Sequence, residues 1–452
     1  MPGYDYIFVG AGIATGSTAW HLVASRPGAR ILILDRLPYY GMESTGKSAS
    51  GVRNLFTSRV NRQLAHFSIQ SYRELDASLR GSADFPDGLS LAMTGYLWLF
   101  DAKNREQHAA VLAEMRAEGT VEFVEPDEIG RRFMPGFVPR VSEELRGVPL
   151  AEMLAEAGDD GAALAAMADE RAYLDDVVLG AFAPGCGYLD PSALANFYYA
   201  RLQKSAGVEF RFRTDVSQLL ESGGRVTGVR AMSGGESREF QGDQVILAAG
   251  AHLHDFLARR GLGDRVLPRN RMLFNFGGDG VKGLFVRDGR RVPFPFVVFY
   301  NRVYFRPDGE HALIGRADQM PAPPPGPGDD PPPYRQWVDD RYFSHVIRPL
   351  LGEHVPQFTN GVLSGRVSGL YEYTPDRAPI IGPFPGTDGL WIIGGFSGSG
   401  IMKAHAAGLL LAHRLTTGEA TVNLGGEILD GSVLGIERFE RPERWLRESF
   451  VI

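Results

Sequence analysis

Two glycine-rich segments hold the residues best placed to do chemistry. Near the start, YIFVGAGIATGSTAW at residues 6–20 runs from an apolar strand through a turn at Gly10–Gly12 into a helix. Far along the chain, LWIIGGFSGSGIMK at residues 390–403 follows the same order, with a helix opening near Ser399. A glycine turn lets the backbone approach a pyrophosphate, and the helix N-terminus behind it offers unpaired N–H groups and a partial positive charge. In the first turn Gly10 permits the bend, Gly12 the approach, and Ile13 and Ala14 open the helix. The usual fingerprint has a third glycine where this chain has Thr15; a Cβ there works against close packing, which the neighbouring Gly16 and Ala14 relieve. Asp35 ends the next strand at the distance where an acid accepts hydrogen bonds from a ribose diol, with Arg36 beside it. One such turn holds a dinucleotide. A second aimed at the same molecule implies a chain wrapped around it, as for a tightly held flavin rather than an exchangeable nicotinamide.

The elements that must position these residues follow from the apolar pattern. Tyr6–Val9, a helix to about Ser25, and Ile31–Leu34 make a βαβ unit, which implies a parallel, buried sheet. The loop GMESTGKSASGVR at 41–53 is rich in small donors: Ser44, Thr45, Ser48 and Ala49 add little bulk, while Lys47 and Arg53 add positive charge suited to phosphate oxygens. Helical periodicity returns at Val60–Leu79. The acidic, alanine-rich stretch at 141–178 reads as two or three helices, either a solvated cover or a lid. Short strands are expected at Val208–Phe212, Val216–Leu220, Val226–Ala231 and Val245–Leu247. A second β-rich block covers Arg271–Phe276, Phe294–Phe305 and His311–Ile314. PAPPPGPGDDPPP at 321–333 reads as an extended surface loop, a mobile rim or an interaction segment.

Composition narrows the classes. A chain of 452 residues, 44% hydrophobic and 22% charged, has the make-up of a globular enzyme of two to three domains. The net charge of −7 and the lack of a basic helical face argue against nucleic acid. No apolar run reaches bilayer length and no leader precedes the first strand, so a soluble, cytoplasmic protein without a transmembrane segment is expected. Cys186 is the single cysteine, which excludes an internal disulfide, and the ten histidines lack ligand spacing, so no metal is expected.

Six segments in order carry a family resemblance: STGKSA at 44–49, GYLDPSAL at 187–194, VILAAGAHL at 245–253, YFRPDG at 304–309, GLYEYTPDRAPIIG at 369–382 and GGFSGSGIMKA at 394–404. Together with the first turn they resemble the FAD-dependent amine and amino-acid oxidoreductases of the D-amino-acid oxidase family. The resemblance implies a fold of class α/β plus α+β: a Rossmann-like FAD-binding domain with a discontinuous antiparallel-sheet substrate domain. Residues 1–83, 188–256 and 362–452 would form the FAD-binding domain, and 84–187 with 257–361 the substrate domain. Val216 would meet the adenine side through its backbone, and Ala249 and Gly250 the pyrophosphate. Gly395, Ser397, Gly398, Ser399, Gly400, Ile401 and Met402 would bind the cofactor, with free N–H groups from Gly398 to Met402 at the pyrimidine end of the flavin, where reduction leaves negative charge.

The same resemblance implies non-covalent FAD and hydride transfer from the carbon bearing a neutral amine, giving an imine that water hydrolyses. Arg271 stands where family members place a basic residue near the substrate carboxylate. Tyr300, Tyr304 and Tyr371 are further candidates to hold the substrate, and Tyr304 and Tyr371 line an amine cage or serve as plain sheet core. Lys403 sits one position beyond the family's oxygen-activating lysine, with Met402 in that register. The expected partners are a small-molecule amine or amino acid and an electron acceptor, either oxygen or a redox carrier; a homo-oligomer is allowed. Two alternatives keep the fold: oxidation of a hydroxy acid or other C–O substrate, and a non-catalytic, FAD-containing assembly factor.

Overall fold

The computed structural model describes residues 3–155, 158–168, 171–318, 320–321 and 336–450. In chain order the main elements begin with β1 (Tyr4–Val9), α1 (Ile13–Ser25), β2 (Ile31–Leu34), α2 (Arg59–Leu79), β3 (Tyr96–Phe100), β4 (Glu122–Val124) and β5 (Leu179–Ala183). There follow α3 (Pro191–Gln203), β6 (Val208–Arg211), β7 (Thr214–Ser222), β8 (Arg225–Ser233), β9 (Glu236–Leu247), β10 (Leu267–Gly277) and β11 (Phe296–Val298). The last are β12 (Val303–Asp308), β13 (His311–Arg316), β14 (Met320–Pro321), β15 (Val362–Tyr373), β16 (Ile380–Pro383), β17 (Leu390–Gly394) and α4 (Gly400–Thr417). Two compact units divide the chain: unit 1 is Met1–Leu91, Leu189–Pro268 and Leu370–Val451, and unit 2 is Ala92–Tyr188 with Arg269–Gly369. The proline-rich run from residue 322 lies outside the described residues.

Unit 1 is built on a sheet of order β16-β17-β9-β1-β2-β6. β1 pairs in parallel with both β2 and β9, and β17 runs parallel to β9. β1 and β2 are buried almost throughout (FV and ILIL are inaccessible or nearly so), as a parallel sheet covered on both faces requires. β9 has a double role: its first half closes an antiparallel meander with β8 and β7, and its last residues enter the parallel sheet. The helices of this unit pack closely on one another. A Cβ on Gly408 of α4 would fall 2.2 Å from Ser17 Oγ on α1, and one on Gly16 would fall 2.9 Å from the Tyr199 ring on α3.

Unit 2 holds a nine-stranded sheet of order β14-β10-β13-β12-β11-β3-β5-β4, with β15 beside β10. The expected single run Phe294–Phe305 is two strands, because Arg302 takes a left-handed conformation at φ +66° and turns the chain between β11 and β12. One face of this sheet, with Met272, Phe274, Val303, Phe305 and Ile314, packs into a core with Tyr342, Phe343 and Phe358. Within the 141–178 stretch the described residues hold two short helices, Leu150–Met153 and Gly158–Met167. Among the described residues no helix is long and apolar enough to cross a membrane, and no group of three or more His, Cys, Asp or Glu is placed to hold a metal.

Candidate functional site

The first turn of unit 1 is held by backbone geometry and by Asp35. Gly10 has φ +105°, and a Cβ there would fall 2.5 Å from the Ala248 carbonyl oxygen, so only glycine fits. Gly12 is different. Among the described residues a Cβ on it would meet only Thr45 Oγ1, at 3.6 Å, so protein packing does not demand glycine; its bareness keeps the approach to the α1 N-terminus open. Thr15 replaces the third glycine by turning its hydroxyl onto the Gly10 carbonyl at 2.6 Å, and Gly16 takes over the close packing against Tyr199. The Asp35 carboxylate accepts N–H groups from Ala11 at 2.7 Å and Leu37 at 2.8 Å, which sets the turn against the end of β2. Burial raises its pKa from the ordinary carboxylate value, against the pull of those donors. Arg36 donates to the His252 ring at 2.6 Å.

The 41–50 loop laces this turn from below. Gly41 N–H bonds the Ala11 carbonyl at 2.9 Å, and Thr45 Oγ1 accepts the Ile13 N–H at 3.1 Å. Ser44 donates to the Leu370 carbonyl at 2.7 Å, tying the loop to the end of β15. Ser48 Oγ accepts the Ser50 N–H at 2.9 Å, and Ala49 is buried. Lys47 pairs with Glu43 at 3.0 Å. Arg53 corrects the expectation of a phosphate ligand: it is 1% exposed, its guanidinium bonds the Leu55 and Phe450 carbonyls, and it lies over the Phe56 ring. The charge serves chain packing.

The second turn and the 248–252 segment complete the cradle. Ala248 N–H bonds the Val9 carbonyl, so Ala249 and Gly250 leave the sheet beside Gly10, with Gly250 at φ +55°. Val216 lies next to a bulge in the β7–β8 pairing. Gly395, Ser397 and Gly398 all have positive φ, at 68°, 51° and 83°. A non-glycine residue is held in this conformation at Ser397 because its N–H bonds the Glu372 carbonyl and its Oγ accepts the Thr374 N–H. Ser399 does not offer a free N–H as expected; that group bonds the Phe396 carbonyl. The rest of the α4 N-terminus, from Gly400 through Ile401 and Met402, has no acidic residue in its first turn and no side-chain cap. α1 likewise has no acidic residue in its first turn; its N-cap Gly12 carries no side chain, and the Ile13 N–H is taken by Thr45. Two helix N-termini without competing carboxylates, an open Gly12 and an acid at the end of β2 fit a dinucleotide, and a flavin at the α4 end fits the second turn.

The substrate candidates divide between the units. In unit 2, Tyr304 pairs across to Gly315, and Gly315 to Leu273, so these share a face with Arg271 two residues along β10. A Cβ on Gly315 would fall 2.5 Å from the Tyr304 hydroxyl, so the glycine lets the ring lie flat across β13. Phe296 and Tyr96 stack on this same face, with Phe296 also against Tyr304. Arg271 and Tyr304 are 4% and 2% exposed. In unit 1, Tyr371 is half-buried with its ring 6.1 Å from that of Tyr373.

Two expectations are corrected. Tyr300 is committed to structure: its hydroxyl bonds the Asp175 backbone and His354. Lys403 is fully buried with its ammonium on Asn61 Oδ1 at 2.9 Å and over the Phe56 ring at 4.0 Å, inside the packing of α4 against α2. The reason is its position on α4, three residues past Gly400, which turns it toward α2. Burial lowers its pKa to about 7. Sequence reading also missed Asp376, whose carboxylate is held by Arg438 at 2.8 and 2.9 Å with both side chains buried, and Glu448, which accepts the N–H groups of Thr57 and Ser58 at the start of α2. No local pattern pairs residues so far apart.

A family model described as "DAO: FAD dependent oxidoreductase" matches residues 5–414. The FAD-dependent oxidoreductase domain-containing protein 1 of Bos taurus is 26% identical over 93% of this chain and 83% of its own length. Glycine oxidase of Pseudomonas aeruginosa is 30% identical over 51% of this chain and 56% of its own. Among solved structures, L-proline dehydrogenase from P. horikoshii superposes with a TM-score of 0.71 at 18% identity, covering 98% of this chain and 99% of that one. Glycine oxidase from Geobacillus kaustophilus gives 0.68 at 20% identity over 93% and 97%. A dinucleotide cradle of this geometry, and a family match that spans nine-tenths of the sequence, have one reading: the chain belongs to the DAO family of FAD-dependent oxidoreductases.

Proposed function

We propose that this oxidoreductase acts on the C–N bond of an amino acid or N-alkyl amine, converting it to an imine that water then hydrolyses. The observation that carries the reading is the buried face of unit 2, where a guanidinium, Arg271, shares one side of a sheet with Tyr304, Phe296 and Tyr96. A guanidinium matches a carboxylate bidentately, and an aromatic surround suits the alkyl part of a neutral amine. Relatives named glycine oxidase and D-amino acid dehydrogenase support the substrate class. Unit 1 is assigned to the cofactor and unit 2 to the substrate.

FAD, held without a covalent bond, supplies the two-electron acceptor. Gly10, Gly12, Ile13, Ala14, Ala249 and Gly250 would hold its pyrophosphate, Asp35 and Arg36 its ribose side, and Val216 its adenine. Ser44, Thr45, Lys47, Ser48 and Ala49 support the flavin side, and the α4 N-terminus offsets the negative charge that reduction leaves. Within unit 2, Arg271 would orient the carboxylate and Tyr304 would line the amine, whose proton leaves to solvent as the hydride leaves carbon. Oxygen or a redox carrier then takes the electrons. The test is a panel of amines, amino acids and hydroxy acids added anaerobically to the yellow protein. Bleaching by at least one amine, with imine or ammonia as product, is expected. Bleaching by hydroxy acids alone, with no nitrogen lost, overturns the reading.

A further inference from the structure

Glu372 lies in the cradle and has no part in the reaction proposed above. It follows Tyr371 on β15 and is 8% exposed. Its carboxyl stands between two of the cradle's turns: Oε1 is 3.5 Å from the Phe396 N–H, and Oε2 is 3.8 Å from the place a Cβ would take on Gly250. The residue is fixed there, because its carbonyl accepts the Ser397 N–H at 3.0 Å. A 3.5 Å bond offsets little charge. Nor, among the described residues, does a cation: burial is the largest influence on this carboxyl, and the others are backbone N–H groups. The ionisable groups on the elements around it are engaged elsewhere, His252 with Arg36, Arg377 over the Tyr373 ring, Asp376 with Arg438 and Lys403 with Asn61.

We infer that Glu372 is a proton site of the cofactor cradle, so that FAD binds to the form with this carboxyl protonated and its uptake brings a proton into the protein. The inference rests on the reading of unit 1 as the FAD cradle. Burial raises the Glu372 pKa to about 7, so the flavin-free protein loses this proton near neutrality. Two phosphates brought into the same enclosure disfavour a further negative charge and raise the pKa again. Each phosphate of the pyrophosphate keeps one strongly acidic oxygen that stays ionised, so the proton is taken up by the protein. Once protonated, the carboxyl is also a donor for anionic oxygen. The sign follows. Affinity for FAD is full below pH 7 and falls as pH rises, by up to about tenfold per unit, until the pKa of the bound state is reached.

The experiment titrates the full chain, freed of flavin, with FAD from pH 6 to pH 9. Calorimetry at pH 8 in two buffers of different ionisation enthalpy counts the protons. The expected result is a Kd that climbs above pH 7 by up to tenfold per unit and a proton uptake approaching one, with Glu372→Gln flattening the profile and binding more tightly than wild type at pH 9. A flat profile with no proton uptake overturns the inference alone, as does a Gln variant that keeps the wild-type slope. A protein that takes up no FAD at any pH overturns the cradle reading as well. The proton count on the wild type decides the matter even where the variant does not fold.

Discussion

Gly10 and Gly12 are both glycine for different reasons, and substitution separates them. Gly10→Ala puts a methyl 2.5 Å from a carbonyl oxygen at φ +105°, so a destabilisation of about 1–3 kcal/mol is expected. The purified variant should show a reduced ratio of flavin to protein absorbance. Gly12→Ala should leave the stability of the flavin-free protein nearly unchanged and still weaken FAD binding. For Arg271→Gln, loss of charge-assisted bonds to a carboxylate worth about 1.5–3 kcal/mol predicts a fall of roughly 10- to 100-fold in kcat/KM. Amines without a carboxylate, and the flavin spectrum, should change little. Gly10, Gly12 and Asp35 were legible in the sequence because strand, turn, helix and acid lie within about thirty residues and each step has a local signature. Glu372 was not: a glutamate in a β-rich run shows its lack of a cation only once Gly250 and Phe396 are folded around it.

At the scale of elements, β1, α1 and β2 match their expected spans, and the start of α4 falls beside Ser399. Those segments have clean periodicity and glycine punctuation. β3, sequence YLWLF, was not anticipated, since an unbroken apolar run buried on both faces has no alternation to reveal it. Lys403 belongs to this scale, because the packing of α4 on α2 decides its chemistry. Its pKa is lowered by burial from 10.5 to about 7. The unfolded chain therefore binds the proton that the folded chain has released between these values, and stability rises with pH across that window. Lowering the pH from about 10 to about 7 should cost the wild type on the order of 1 kcal/mol per unit relative to Lys403→Met, with no further change below. Denaturant titrations at several pH values check this. The flavin's reactivity with oxygen should be alike in both proteins, because the ammonium is engaged by Asn61 and the Phe56 ring in the packing of α4 on α2.

Across the whole molecule, three separated stretches of chain form unit 1 and two form unit 2. A discontinuous chain of this kind is what the family resemblance implied, and the alternation of β-rich with βα-type blocks agrees with it. The contribution of the last residues was not foreseen, because they lie past the end of the family match and carry no motif. Arg438 and Glu448 nonetheless anchor Asp376 and the start of α2. Arg438→Met leaves the Asp376 carboxylate buried and unpaired, and a loss of about 3–5 kcal/mol is expected in urea denaturation. Adding Asp376→Asn to that variant should recover part of the loss.

This distant anchoring bears on how the molecule is made. A ribosome-bound nascent polypeptide halted at residue 435 already carries both glycine turns, yet the loop after Tyr373 has no counter-ion and the amino end of α2 has no cap. The dinucleotide-holding unit is therefore expected to reach its full stability only once Arg438 and Glu448 have joined it.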